Sequence, residues 1–379
     1  MTPLSARCAG IAGVVLAVVL VTSGCSPTEP ASTPDPVETP SASATPVAEP
    51  TEPTPLLDLA CDELASSADL AVAIDADIEG ANPHESIRGA GADLPYTFAI
   101  EALGGIACQW SNGEFYNSTF TTNPDYRGVR ISLLPTTAAD ADTYGYSTSG
   151  DVDESIRCES DGYFTCEGGV FVNDTWWIAY EADGVDGSNE ADAKAHFFDL
   201  LSTAKTAVES AADVPAWTPP ADTLAIGPSC PDIIPNATIE STFDTGTEIG
   251  NDADIGYGDS YGIYAAARAQ LDANRCFWST SDMAIVGTAL WIPAGDWAWA
   301  ESQSFDSVSD GLEPLEVTGG EAWLNCQDEA LCVLDVVVGH NWIEANFYVG
   351  EDDVIDPEKS TPEAYTAIAQ EMIDTVTAG

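Results

Sequence analysis

Few residues in this chain have both the type and the spacing for chemistry. Gly258-Asp259-Ser260-Tyr261-Gly262 fits G-x-S-x-G, the turn that presents the nucleophile of many serine hydrolases. That chemistry needs a buried strand delivering the serine, a helix behind it, and an acid and a histidine downstream. His340 is downstream, but Asn251 to Gly256, just before the motif, is acidic and glycine-containing rather than strand-like. A hydrolase centred on Ser260 therefore ranks last among the functional readings, and a glycine-rich loop is the expectation. Gly89-Ala90-Gly91 suggests a phosphate loop, but it lacks the third glycine and a preceding strand and is surrounded by acid.

Three acidic groups could hold structural calcium: Asp75, Asp77 and Glu79; Asp183, Asp186 and Glu190; Asp252, Asp254 and Asp259. Calcium wants six to eight oxygens around one point, and none of the three groups follows the EF-hand spacing, so solvated loops are the simpler expectation. No other metal or cofactor is expected, because His84, His196 and His340 share no pattern and form no metal spacing. Trp291, Trp297 and Trp299 form a candidate ligand platform for sugar rings or a partner surface. Core packing or burial between domains is the favoured alternative.

These residues sit in a chain organised as a repeat. Cys108-Gln109-Trp110 and Cys276-Phe277-Trp278 are two Cys-x-Trp tripeptides. Each follows another cysteine, at intervals of 47 (Cys61) and 46 (Cys230), and each is followed 50 residues later by a close pair, Cys158 with Cys166 and Cys326 with Cys332. Trp176 and Trp342 each stand ten residues after the last cysteine, and this recurrence predicts core packing. Counted from the tripeptides, Ser260 corresponds to Ala92, so the other half carries no nucleophile there. The absence of C-x2-C spacing favours disulfides over zinc. Four cysteines allow three pairings; the favoured one joins Cys61–Cys108, Cys158–Cys166, Cys230–Cys276 and Cys326–Cys332.

Arg7 followed by the apolar run Cys8 to Val21 reads as an export signal, too short to span a bilayer, which takes about twenty residues. Residues 26–55 are rich in Pro, Thr, Ser, Ala and Glu and read as an extended tether. The net charge of −53, with acids through both halves, argues against nucleic acid and against adhesion to anionic surfaces.

Periodicity predicts the same plan twice. In the first half, helices are expected over 58–74, 95–103, 136–144 and 190–209, with strands over 106–110, 128–134, 155–158, 169–172 and 176–180. In the second, helices are expected over 230–239, 261–271 and 361–377, with strands over 275–278, 284–292, 322–326, 332–338 and 342–349. The expected fold class is α+β: two tandem homologous domains, each an antiparallel sheet flanked by helices and held by two disulfides. The boundaries are 1–24 for the signal peptide, 25–55 for Cys25 and the stalk, 56–218 for the first repeat and 219–379 for the second.

Val21-Thr22-Ser23-Gly24-Cys25 resembles the lipobox of bacterial lipoproteins, in which the cysteine is lipidated. With the stalk, the scarcity of lysine and the cysteine-framed repeat, the chain resembles actinobacterial cell-envelope lipoproteins of uncharacterised families. The resemblance implies a lipid anchor at Cys25 and a place on the outer face of the cell membrane. It carries over no catalytic residue. The expected function is a non-catalytic binding module whose partner is an envelope protein, a glycan or a small ligand. The alternative is a passive structural or assembly factor.

Overall fold

Alternation along the strands decides the architecture. In Trp176–Val185, Trp176, Ile178, Tyr180 and Ala182 join one core, while Trp177, Ala179, Glu181 and Asp183 face the other way. In Asn341–Tyr348, Ile343, Ala345 and Phe347 do the former, and Trp342, Glu344 and Asn346 the latter. Successive side chains of a strand point to opposite faces, so each sheet has two faces to cover.

The computed structural model describes residues 50–379, apart from 75, 86–93, 115–116, 119–120, 124, 145–151, 161–163, 254–261, 274, 329 and 351–352. In the first half the main elements are α1 (Cys61–Leu64), α2 (Ser67–Ala73), β1 (Glu79–Ala81), α3 (Leu94–Ala102), β2 (Ile106–Ser111), β3 (Gly128–Pro135), α4 (Ala138–Tyr144), β4 (Arg157–Ser160), β5 (Phe164–Val172), β6 (Trp176–Val185) and α5 (Glu190–Ser210). In the second they are α6 (Asn236–Phe243), β7 (Ile249–Ala253), α7 (Ile263–Gln270), β8 (Cys276–Thr280), β9 (Ile285–Ile292), α8 (Asp296–Ser302), β10 (Glu321–Asp328), β11 (Leu331–Val338), β12 (Asn341–Tyr348) and α9 (Pro362–Ala378). The first sheet runs β1-β2-β3-β6-β5-β4 and the second β7-β8-β9-β12-β11-β10, with Glu313–Pro314 added at its edge. The two orders coincide, and the paired strands are antiparallel.

The closing helices start where their caps dictate. The Asn189 side chain accepts from the Ala191 and Asp192 N–H groups, and Thr361 accepts from Ala364 ahead of Pro362. Phe197, Leu200, Leu201, Ala204 and Val208 of α5 then fall on one buried stripe, as do Tyr365, Ile368, Ala369, Met372 and Val376 of α9. Each stripe covers one face of its own sheet.

The four disulfides are Cys61–Cys108, Cys158–Cys166, Cys230–Cys276 and Cys326–Cys332. The two long ones tie the first helical turn of each half to its Cys-x-Trp strand. Cys158 and Cys166 are direct cross-strand partners.

Four expectations change. The helix expected over 58–74 breaks at Ala65, because Ser66 forms a capping box with Asp69 and restarts it as α2. Pro235 similarly separates α6 from a short 3-10 turn at Cys230–Asp232. The acidic stretches expected as loops contribute edge strands β1 and β7, each paired to the Cys-x-Trp strand of its half. Finally, Trp176 is not the counterpart of Trp342. The β5–β6 turn spans Asn173–Thr175, whereas the β11–β12 turn holds only Gly339 and His340, so the register slips by one and Trp177 stands where Trp342 does.

The halves share their second faces. Glu49–Gly379 is one compact unit. Helix α3 packs against β2 and β3 of its own sheet and also against β9 and β12 of the other, while α7 packs on α3, α4 and β3. One shared cluster joins Ile100, Leu134 and Trp177 to Ile263, Ala267 and Ile292; the other joins Leu94 and Phe98 to Trp297, Trp299 and Trp342.

Candidate functional site

Aromatic rings from both halves fill the seam. Tyr96 of α3 stacks on Tyr264 of α7 with centroids 4.8 Å apart, and the Arg268 guanidinium carbon lies 5.0 Å from the Tyr96 centroid. Ser132 of β3 donates to Tyr264 Oη at 3.4 Å, and burial pushes the Tyr264 hydroxyl above its ordinary pKa. Phe98 meets Trp297 and Trp342 edge-on at 5.6 and 5.8 Å, and Trp299 packs on Trp323 and Trp342 at 4.8 and 5.5 Å. Trp291, Trp297 and Trp299, weighed as a ligand platform against the favoured alternative of packing, present no exposed platform. All three are buried: Trp291 lies in the core beneath α9, and α8 lays Trp297 against Phe98 and Trp299 against Trp323 and Trp342 in the seam.

A buried histidine closes one end of the seam. Thr97 spends its hydroxyl proton on the Leu94 carbonyl (2.8 Å), so it accepts from His84 Nδ1 at 3.0 Å. His84 Nε2 then faces Glu101 Oε1 at 3.1 Å, and the ring stacks on Phe98 at 3.7 Å. Partial burial holds the carboxyl of Glu301, on α8, above its ordinary pKa; His84 pulls it down, and Glu101 and Glu52 push it up.

The seam-facing side of the second sheet carries a polar group kept from water. Asp335 and Glu344 are direct cross-strand partners, as are Thr288 and Asn346, which places all four on one face. Asp335 and Glu344 are 0% exposed, Thr288 1% and Asn346 2%. Trp342 Nε1 donates to Asp335 Oδ1 at 2.9 Å, and Asn346 Nδ2 donates to Glu344 Oε1 at 3.0 Å. Thr288 Oγ1 has no hydrogen-bond partner among the described residues, and a buried polar group in that state is costly. Two carboxylates, an amide and a hydroxyl are an oxygen-rich set suited to a ligand that offers hydrogen-bond donors.

The matching face of the first sheet is more open. Gln109, Arg130, Glu181, Glu167 and Arg157 align in register across β2, β3, β6, β5 and β4. Arg130 Nη1 lies 3.5 Å from Glu181 Oε2. Desolvation raises the Glu167 carboxyl, with Glu181 adding to it. Asp183 is buried and accepts from Thr165 at 2.9 Å; desolvation, then Glu181, pushes its pKa up to about 6. Gln109 donates to Tyr126 Oη at 3.1 Å, and burial pushes that hydroxyl up to about 12.

His340, in the β11–β12 turn, lies between two acids. Its Nδ1 is 2.6 Å from Asp296 Oδ2 at the start of α8, and its Nε2 is 3.3 Å from Asp222 Oδ1 in the segment joining the halves. The hydrogen bond to Asp296 is the main cause that raises the His340 pKa.

Several other sequence candidates cannot be placed on the fold. Cys25, Ser260, Gly89–Gly91, Asp75, Asp254 and Asp259 lie outside the described residues. Asp183 is buried in the sheet, whereas Asp186 and Glu190 are exposed in the following loop and helix start. Among the described residues no three His, Cys, Asp or Glu side chains are placed to hold a metal ion, and no helix among them is long and apolar enough to cross a membrane. Sequence reasoning missed Thr288, Asp335, Glu344 and Asn346. The one signal for them was polar residues within otherwise apolar strands. Comparison with family models, curated proteins and solved structures yields no match for this chain.

Proposed function

We propose that this protein is a lipoprotein held on the outer face of the cell membrane through Cys25, whose folded unit acts as a non-catalytic binding module on the 26–55 stalk. Four disulfides accord with an oxidising, exported setting, and the coinciding strand orders support a duplicated ancestor. The observation that carries the binding reading is the buried hydroxyl of Thr288, which has no hydrogen-bond partner among the described residues and lies on a face shared with Asn346, Glu344 and Asp335. A small polar ligand that hydrogen-bonds to the Thr288 hydroxyl would satisfy it, beside the oxygens of Asn346 and Glu344.

The test is a thermal-shift screen of the intact, disulfide-bonded chain against amines, wall sugars, short peptides, common metabolites and calcium. A ligand at a hundred times its Kd adds about 2.7 kcal/mol of stability. The proposal expects a shift with at least one compound, lost in Thr288→Val. A flat response across the panel, or a shift that survives Thr288→Val unchanged, contradicts it.

A further inference from the structure

The segment joining the halves is fastened at one place where proton number can be counted. Leu224 donates its N–H to the Gly339 carbonyl at 3.0 Å, and Asn341 Nδ2 donates to the Leu224 carbonyl at 2.9 Å. Gly339, with φ of 52°, leaves room for this approach: a Cβ there would lie 2.3 Å from Leu224 Cγ. Beside it, His340 spans from Asp296 of α8 to Asp222 of the joining segment. Both contacts end on carboxylate oxygens, which only accept when ionised. A neutral imidazole has one N–H and can serve one of them; the imidazolium serves both.

We propose that His340 is a proton-operated latch that holds the joining segment around Asp222 and Leu224 to the β11–β12 turn when protonated and lets it go when neutral. The shorter contact, to the better-buried Asp296, keeps the remaining proton, so the Asp222 contact is the one lost. The charged groups facing His340 are Asp296 from α8 and Asp222 from the joining segment; its turn neighbours Gly339 and Asn341 carry no charge. Both acids favour the imidazolium. The latch is therefore fully made below the ordinary histidine pKa of about 6.5 and opens as pH rises through the higher folded value.

The experiment is hydrogen exchange at the Leu224 amide, corrected for intrinsic rate, across pH 5 to 9, together with the His340 imidazole resonance by NMR on the full chain. In the wild type, protection falls through the His340 midpoint. In Asp222→Asn that step is lost and the midpoint drops. In His340→Asn, which tolerates the positive φ of 65° at this turn, protection shows no step over the same range. A wild type without a step, a step that persists in His340→Asn, or a midpoint unmoved by Asp222→Asn overturns the latch.

Discussion

Tyr96 and Tyr264 stack on one another at 4.8 Å, and they are separated by the same 168 residues that separate Cys108 from Cys276. Two tyrosines at the same offset from the two Cys-x-Trp tripeptides thus meet across the seam. Stacked aromatic pairs contribute about 1 kcal/mol beyond their burial. Tyr96→Ala and Tyr264→Ala should each destabilise the unit by about 3 kcal/mol. The double mutant should fall short of the sum by about 1 kcal/mol. Urea unfolding of the four proteins in the cycle measures this, and strict additivity would show that the contact carries no coupling.

The disulfides should differ in value by loop length. Cys61–Cys108 closes 47 residues and Cys158–Cys166 only 8. Loop-closure entropy gives about 4 kcal/mol for the first and about 2.5 kcal/mol for the second. Replacing each pair by alanines and comparing denaturant midpoints should therefore place the long-loop variant below the short-loop one.

Asp183 makes stability depend on pH in a stated direction. Its folded pKa, about 6, lies above the ordinary aspartate value, so the folded state holds its proton longer than the unfolded chain. Stability from this group is unaffected below about pH 4, declines as pH rises towards 6, and stays reduced above it, by at most about 3 kcal/mol. Asp183→Asn should match the wild type near pH 4 and exceed it at pH 8 in thermal unfolding. An equal deficit at both pH values would show that the effect comes from replacing the side chain and not from its titration.

Much of this fold was legible because cysteine intervals are rigid markers. The matched spacings around Cys108 and Cys276 implied the framework that the four disulfides now display. The restart of α2 was also in the chain, in the Ser66-to-Asp69 capping pair. Edge strands β1 and β7 were not, since pairing to a partner strand overrides their acidic, glycine-containing composition. The mismatch of Trp176 with Trp342 arose from counting through turns of unequal length. The seam left a faint trace: Leu94, Phe98, Ala99 and Ile100 point around most of α3, and a helix buried on several sides lies between layers. The Thr288 cluster left less, because polar residues alternating in a strand normally face water, and here the other half covers them.

The most direct test of the account is where the intact chain resides and why. After expression in a host with lipoprotein processing, detergent-phase partition should place the wild type in the detergent phase, with a lipid-sized mass addition on an N-terminal Cys25. Cys25→Ala should move to the aqueous phase with its four disulfides intact. A wild type that partitions into water with an unmodified N-terminus would contradict the tethered module, whatever ligand the seam accepts.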